Sequence, residues 1–284
     1  MKSGITINVA TQVETGPWIY REPLEVSLSK AAALGFDGVE LFTASAHSVD
    51  ADLLARLLQQ FGLPLSAVGT GAGKVIHGLT LTDPDTDIRK QALAFIKEMI
   101  AFGARFGAPS IIGSMQGHAV PGIKKEEAID WLAEGLNILG AFAAKQGVTL
   151  IFEPLNRYET NLINRLEEGV KLIDSLHTRN VALLADLFHM SIEEVSIPES
   201  LRDFGKYVGY VHFADSNRHP AGNGHTRMQE IAEALQEIGY EGYISAEAFP
   251  YPDPDRAAKT TLENFNQFFT HFKQAEKDEI QEVL

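Results

Sequence analysis

The chain has 284 residues, 45% of them hydrophobic, enough to bury the core of one large α/β unit. A formal net charge of −14 with no concentrated basic run excludes a large phosphate-backbone footprint, so no nucleic-acid partner is expected. Cysteine is absent, which excludes disulfides, thiolate nucleophiles and Cys-ligated zinc and leaves oxygen and imidazole to hold any metal.

The N-terminal stretch is too short an apolar run for a secretory leader, and no run reaches the ~18 apolar residues a membrane span needs. A cytoplasmic protein with no membrane partner is therefore expected. Short apolar runs then alternate with longer amphipathic ones along the chain. Ile5–Ala10 predicts a first strand and Leu24–Leu34, with apolar residues near i, i+3 and i+4, a first helix. The pair recurs as Gly38–Phe42 with Asp50–Phe61, Pro64–Val68 with Asp87–Phe106, and Ser110–Ile112 with Glu126–Lys145. It continues as Thr149–Glu153 with Arg165–Leu176, and Ala182–Ala185 with a weakly marked helix near Pro198–Phe204. Tyr210–Phe213 with Arg227–Ile238, and Tyr243–Glu247 with Pro254–Phe272, complete it. The strands are mostly unbroken apolar runs, as in parallel sheets buried on both faces. Several helices close on glycine, as in the near copies Leu34-Gly35-Phe36-Asp37-Gly38 and Ile238-Gly239-Tyr240-Glu241-Gly242.

Eight strand–helix pairs with no Pro/Gly/Ser-rich linker predict one domain over residues 1–284, a closed (β/α)₈ TIM barrel, with an open doubly wound sheet as the alternative. The longer loops follow the strands: Thr43–Val49, Gly69–Asp85, Gly113–Lys124, Pro154–Asn164, Asp186–Pro198 and Ala214–Thr226. In a barrel they surround the C-terminal mouth, where such enzymes place their chemistry.

Strands five to eight end on Glu153, Asp186, His212 and Glu247, at separations of 33, 26 and 35 residues, each about one strand–helix unit. Consecutive strand ends thus bring three carboxylates and one imidazole to one side of the mouth. A lone acid after a strand is usually a helix cap or a solvated charge, and a lone histidine in an apolar run is usually a hydrogen-bonded core residue. Four in register call for one divalent cation, since that much negative charge cannot stay unpaired in a closed pocket. The oxygen-rich set with one imidazole points to Mn²⁺, with Mg²⁺ or Co²⁺ as alternatives. More polar groups follow in the same loops, among them Asn156-Arg157-Tyr158-Glu159, Phe188-His189-Met190 and Asp215-Ser216-Asn217-Arg218-His219-Pro220.

These stretches resemble the ketose 3-epimerases of the D-tagatose/D-psicose type, within the xylose-isomerase-like barrel superfamily. The likeness is carried by Glu153 to Glu159 with Asn164, Asp186 to Glu194, His212 to Arg218 and Glu247, strongly from about 145 to 250 and loosely before. It implies metal ligation by Glu153, Asp186, His212 and Glu247, and substrate contacts from Glu159, His189 and Arg218. It also implies a small-molecule sugar substrate and a homodimer or homotetramer. The chain departs from that pattern at Asp215, where the family carries glutamate, and in the Gly69–Lys74 loop.

The chemistry expected is proton abstraction from a carbon beside a ketone, with Glu153 and Glu247 as the acid–base pair on either face of the sugar and C3 inverted through an enediolate. Reprotonation at a neighbouring carbon would make the enzyme an aldose–ketose, hydroxypyruvate or inosose isomerase instead. A metal-dependent endonuclease on the same barrel would need more histidine and carboxylate ligands and a basic groove, and a non-catalytic sugar sensor would not need intact acid–base carboxylates. Gly69-Thr70-Gly71-Ala72-Gly73-Lys74 is not a nucleotide P-loop, because Val68 and Val75 stand where Gly and Ser/Thr are required. It is expected to be a flexible loop over the mouth, with Lys74 available to substrate. His118 is either a pocket residue or a solvated one, and Phe265, Phe268, Phe269 and Phe272 read as core or subunit interface.

Overall fold

Eight parallel strands pair in chain order and close on themselves: β1 (Lys2–Asn8), β2 (Gly38–Phe42), β3 (Leu65–Gly69), β4 (Ser110–Ile112), β5 (Leu150–Phe152), β6 (Val181–Asp186), β7 (Val208–His212) and β8 (Tyr243–Ala246). The computed structural model describes residues 1–269. The helices are α1 (Leu24–Leu34), α2 (Ala51–Phe61), α3 (Ala72–Val75), α4 (Thr86–Ala104), α5 (Lys125–Lys145), α6 (Leu166–Ser175), α7 (Leu187–Glu193), α8 (Ile197–Phe204), α9 (Met228–Glu237) and α10 (Pro254–Phe269). Eight of them form the outer layer, and α3 and α7 are short insertions after β3 and β6. The closed barrel removes the open-sheet alternative.

Local chemistry explains where elements stop. Helix α1 ends because Gly35 takes φ 98°, letting its N–H turn back onto the carbonyls of Ala31 and Ala32. Helix α2 starts at Asp50, whose carboxylate accepts from the backbone N–H of Asp52 and Leu53.

Alternation along the strands sorts side chains into two cores. Outward-facing residues such as Val39, Leu41, Phe152, Leu183 and Val211 pack beneath the helices. Ala67, Ile111, Ile151, Leu184 and Tyr210 fill the barrel interior as a separate cluster. Two residues further along each strand, on the same inward side, lie Glu153, Asp186 and His212, so the apolar plug is the floor of the site. Register shifts between β2 and β3, at Val39/Glu40, and between β6 and β7, at Leu183/Leu184, place Ser66 and Gly209 as the extra residues.

Expected boundaries differ from those observed mostly by one to three residues. Strand β1 starts earlier than expected, and β5 and β8 stop one residue short of Glu153 and Glu247. The Gly69–Lys74 stretch is not irregular throughout, as a loop would be. It ends β3 and enters the helical turn α3, whose buried Gly73 sits so close to Met115 and Phe95 that a side chain there would collide with both. The Asp186–Pro198 loop contains α7, a helix of 7 residues, too short to show periodicity in sequence. Phe265 and Phe269 are buried core, Phe268 is half-buried against it, and Phe272 lies outside the described residues.

Candidate active site

Glu153, Asp186, His212 and Glu247 meet at the C-terminal mouth, with one ligand atom of each within 4.8 Å of the others. Nδ1 of His212 is 3.3 Å from Asp186 Oδ2, 3.4 Å from Glu153 Oε1 and 3.7 Å from Glu247 Oε2. The first three residues are buried and Glu247 is slightly open. Asp186 does two jobs: Oδ1 caps α7 by accepting from the N–H of Phe188 and His189, at 2.7 and 3.2 Å, which leaves Oδ2 for the ring. Glu153 has room only because residue 113 is glycine; a Cβ there would strike its Oε2. Its other oxygen, Oε1, is buried without a hydrogen-bond partner.

The field inside this ring is strong. Burial alone would raise the Asp186 carboxyl, but His189, His212 and Arg218 outweigh it and hold the group well below the usual carboxylate range. Burial pushes the Glu247 carboxyl up to about 7, with Glu153 and Asp186 adding to the rise and His212 and Arg218 opposing it. Burial disfavours the His212 imidazolium, yet the surrounding Glu40, Glu247, Asp186 and Glu153 raise it well above the ordinary histidine value. A divalent cation fits this donor set: three carboxylates and one imidazole converge, with an orphaned carboxylate oxygen pointing among them. Among the described residues this is the one such His/Asp/Glu group.

The three expected substrate contacts line the same cavity, of about 230 Å³. Arg218 is held at φ 60°, a left-handed conformation rare outside glycine, with its N–H on the Asp215 carbonyl and its own carbonyl accepting from Phe249. From there its guanidinium lies 4.8 Å over the Phe188 ring and donates to Glu247 at 2.7 Å and Glu159 at 3.2 Å. His189 receives the backbone N–H of Asn156 at 3.2 Å and its side-chain amide at 2.7 Å, both on Nδ1. Nδ1 is therefore the acceptor, and the proton sits on Nε2, which is buried and unpartnered beside the ring.

Lys74 does not reach the cavity; Val75 lines it instead, and Lys74 borders a separate depression with His118, Arg157 and Tyr158. Asp215 also points away. Its carboxylate is buried in the β7–α9 loop, accepting from the N–H of Ser216, Gly222 and Thr226 at 2.8, 2.8 and 2.9 Å.

Sequence reasoning missed two features of the site. The β1–α1 loop brings Trp18 onto the cavity wall, its ring 4.5 Å from that of Phe42, as an apolar face next to the polar ring. Glu40 reaches the cavity from the middle of β2, 3% exposed and on the far side of His212. The signal was present: one acid inside an otherwise apolar buried strand.

The comparisons with known proteins agree with this geometry. A family model described as "Xylose isomerase-like TIM barrel" matches residues 28–268. The chain is 34% identical over 231 residues to a D-psicose 3-epimerase of Ruminiclostridium cellulolyticum, covering 78% of this chain and 77% of that one. A D-psicose 3-epimerase of Agrobacterium fabrum is 31% identical, with 78% of each chain covered. A crystal structure of D-psicose 3-epimerase with D-tagatose from Clostridium cellulolyticum superposes with a TM-score of 0.77 at 26% identity, covering 94% of this chain and 99% of that one.

Proposed function

Since the chain belongs to the xylose isomerase-like TIM barrel family, and within it to the ketose 3-epimerases, we propose that it inverts C3 of a free ketose with one divalent metal ion. The observation that carries this reading is the buried ring of three carboxylates and one imidazole beneath a cavity sized for a single sugar. Glu153, Asp186, His212 and Glu247 would hold the ion, and the oxygen-rich set favours Mn²⁺, with Mg²⁺ or Co²⁺ able to take the same place. When bound, the ion supplies stabilisation of the negative charge that builds on the ketone oxygen as the neighbouring carbon loses its proton.

The side chains do the rest. Glu153 and Glu247 form the acid–base pair: one takes the C3 proton, and the other returns a proton to the opposite face of the planar carbon. Arg218 donates to Glu247 at 2.7 Å and steadies its ionised form. His189 would donate from Nε2 to a substrate oxygen, while Glu159 and Arg218 orient further hydroxyls. Trp18 would cover the apolar C–H face of the sugar and keep water out. Among the described residues Arg218 is the one Lys or Arg on the cavity wall, and it is already paired with Glu247 and Glu159. That supports an unphosphorylated ketose.

The test is a panel of free and phosphorylated ketoses with Mn²⁺ added, the products separated by chromatography. Interconversion of free C3 epimers, abolished by a chelator, is the expected result. Turnover confined to ketose phosphates, or aldose as the product, would contradict it.

A further inference from the structure

We propose that Glu40 is a positioning residue for the metal ring, holding His212 so that Nδ1, and not Nε2, is presented to the ion. This rests on the metal-site reading above. His212 Nε2 lies 3.3 Å from both carboxylate oxygens of Glu40, on the side of the imidazole away from the ring. A carboxylate can only accept, so Nε2 keeps its proton against Glu40, and an ion among Asp186, Glu153 and Glu247 would take the place of the Nδ1 proton, leaving the lone pair of the then neutral imidazole on Nδ1.

Glu40 is itself held by a chain of partners that does nothing else evident. Tyr210 donates its hydroxyl proton to Glu40 Oε2 at 3.1 Å. That proton being spent, the 2.7 Å contact between Ser66 and Tyr210 has Ser66 as donor. All four residues of this line are buried in the barrel interior. The two register shifts of the barrel serve it: Ser66 is the extra residue opposite β2, and Gly209 is the extra residue just before Tyr210. Gly209 is also required there, because a Cβ would lie 2.8 Å from that of Ala182. The Tyr210 ring stands edge-on to His212 at 5.8 Å and limits its rotation. Burying a carboxylate and two hydroxyls in the barrel interior is costly unless they do such a task.

Mn²⁺ titrated into the metal-depleted protein, with free Mn²⁺ read by electron paramagnetic resonance, tests this directly. Glu40→Ala should weaken binding about 10–100-fold. Glu40→Gln, which can still accept the Nε2 proton, should weaken it less, and Tyr210→Phe should weaken it measurably while leaving Glu40 in place. With Mg²⁺ bound, ¹⁵N-histidine spectra should place the His212 proton on Nε2. Binding within twofold of wild type for Glu40→Ala, or a proton on Nδ1, overturns the inference. If Glu40→Ala does not fold, unchanged binding by both Glu40→Gln and Tyr210→Phe overturns it equally. Wild-type protein that binds no Mn²⁺ would instead bring down the metal-site reading itself, and this inference with it.

Discussion

Glu153 and Glu247 both approach Nδ1 of His212, yet their other partners differ: Arg218 donates to Glu247 at 2.7 Å, whereas Glu153 Oε1 has no hydrogen-bond partner. Glutamine at either position keeps the shape and one oxygen but cannot accept or return a proton. We expect Glu153→Gln and Glu247→Gln each to lower kcat by about 10²–10⁴-fold at saturating metal, with Mn²⁺ still bound in the titration. Turnover near wild type with metal bound would refute their assignment as the acid–base pair. Asp215 gives a second prediction of a different kind. Burial would raise its carboxyl, but the N–H groups of Thr226, Ser216 and Gly222 win and hold it below the ordinary value. A carboxyl lowered in the folded state stabilises the fold above its unfolded value of about 3.9, and that contribution is lost as pH falls through the folded value. Asp215→Asn should therefore cost about 1–3 kcal/mol in urea unfolding at pH 7, with the gap to wild type closing below about pH 4.

At the scale of elements, the ring depends on where strands stop and what the neighbouring strand end leaves free. Gly113 follows β4 and faces Glu153, which follows β5, and the carboxylate occupies the space a Cβ would take. Gly113→Ala should leave thermal unfolding of the metal-free protein nearly unchanged while weakening Mn²⁺ binding about tenfold or more, because the ligand must turn aside. Unchanged affinity would mean that Glu153 is free to shift. The strand ends were legible in sequence because buried parallel strands are short apolar runs and an acid or histidine at their end stands out. Glu40 was not, since a single residue inside such a run has no neighbour to form a pattern with, and its partners Ser66 and Tyr210 lie 26 and 170 positions away. Trp18 was hidden for a related reason: a loop aromatic has no periodicity, and only the pairing of β1 with β2 brings it over Phe42. Helices α3 and α7 are one to two turns long, below the length at which amphipathic spacing registers.

At the scale of the whole molecule, the candidate metal site joins β5, β6, β7 and β8, so a bound ion would tie half of the barrel together at its mouth. An ion that binds the folded chain alone stabilises it by about 2.7 kcal/mol at one hundred times its dissociation constant. Chelation should then lower the melting temperature by roughly 5–10 °C, and a melting temperature indifferent to Mn²⁺ and chelator would argue against the site. No described helix is long and apolar enough to cross a membrane, and among the described residues Arg218 is the one Lys or Arg on the cavity wall. The barrel is built to hold a small polar molecule against a buried charged ring, and the remaining choice is which carbon receives the returning proton. The central claim is proton exchange at C3 by two carboxylates, and turnover of a free ketose in D₂O with Mn²⁺ tests it most directly. The product should carry deuterium at C3 and none at C1; deuterium at C1, or a product with no deuterium on carbon, would contradict it.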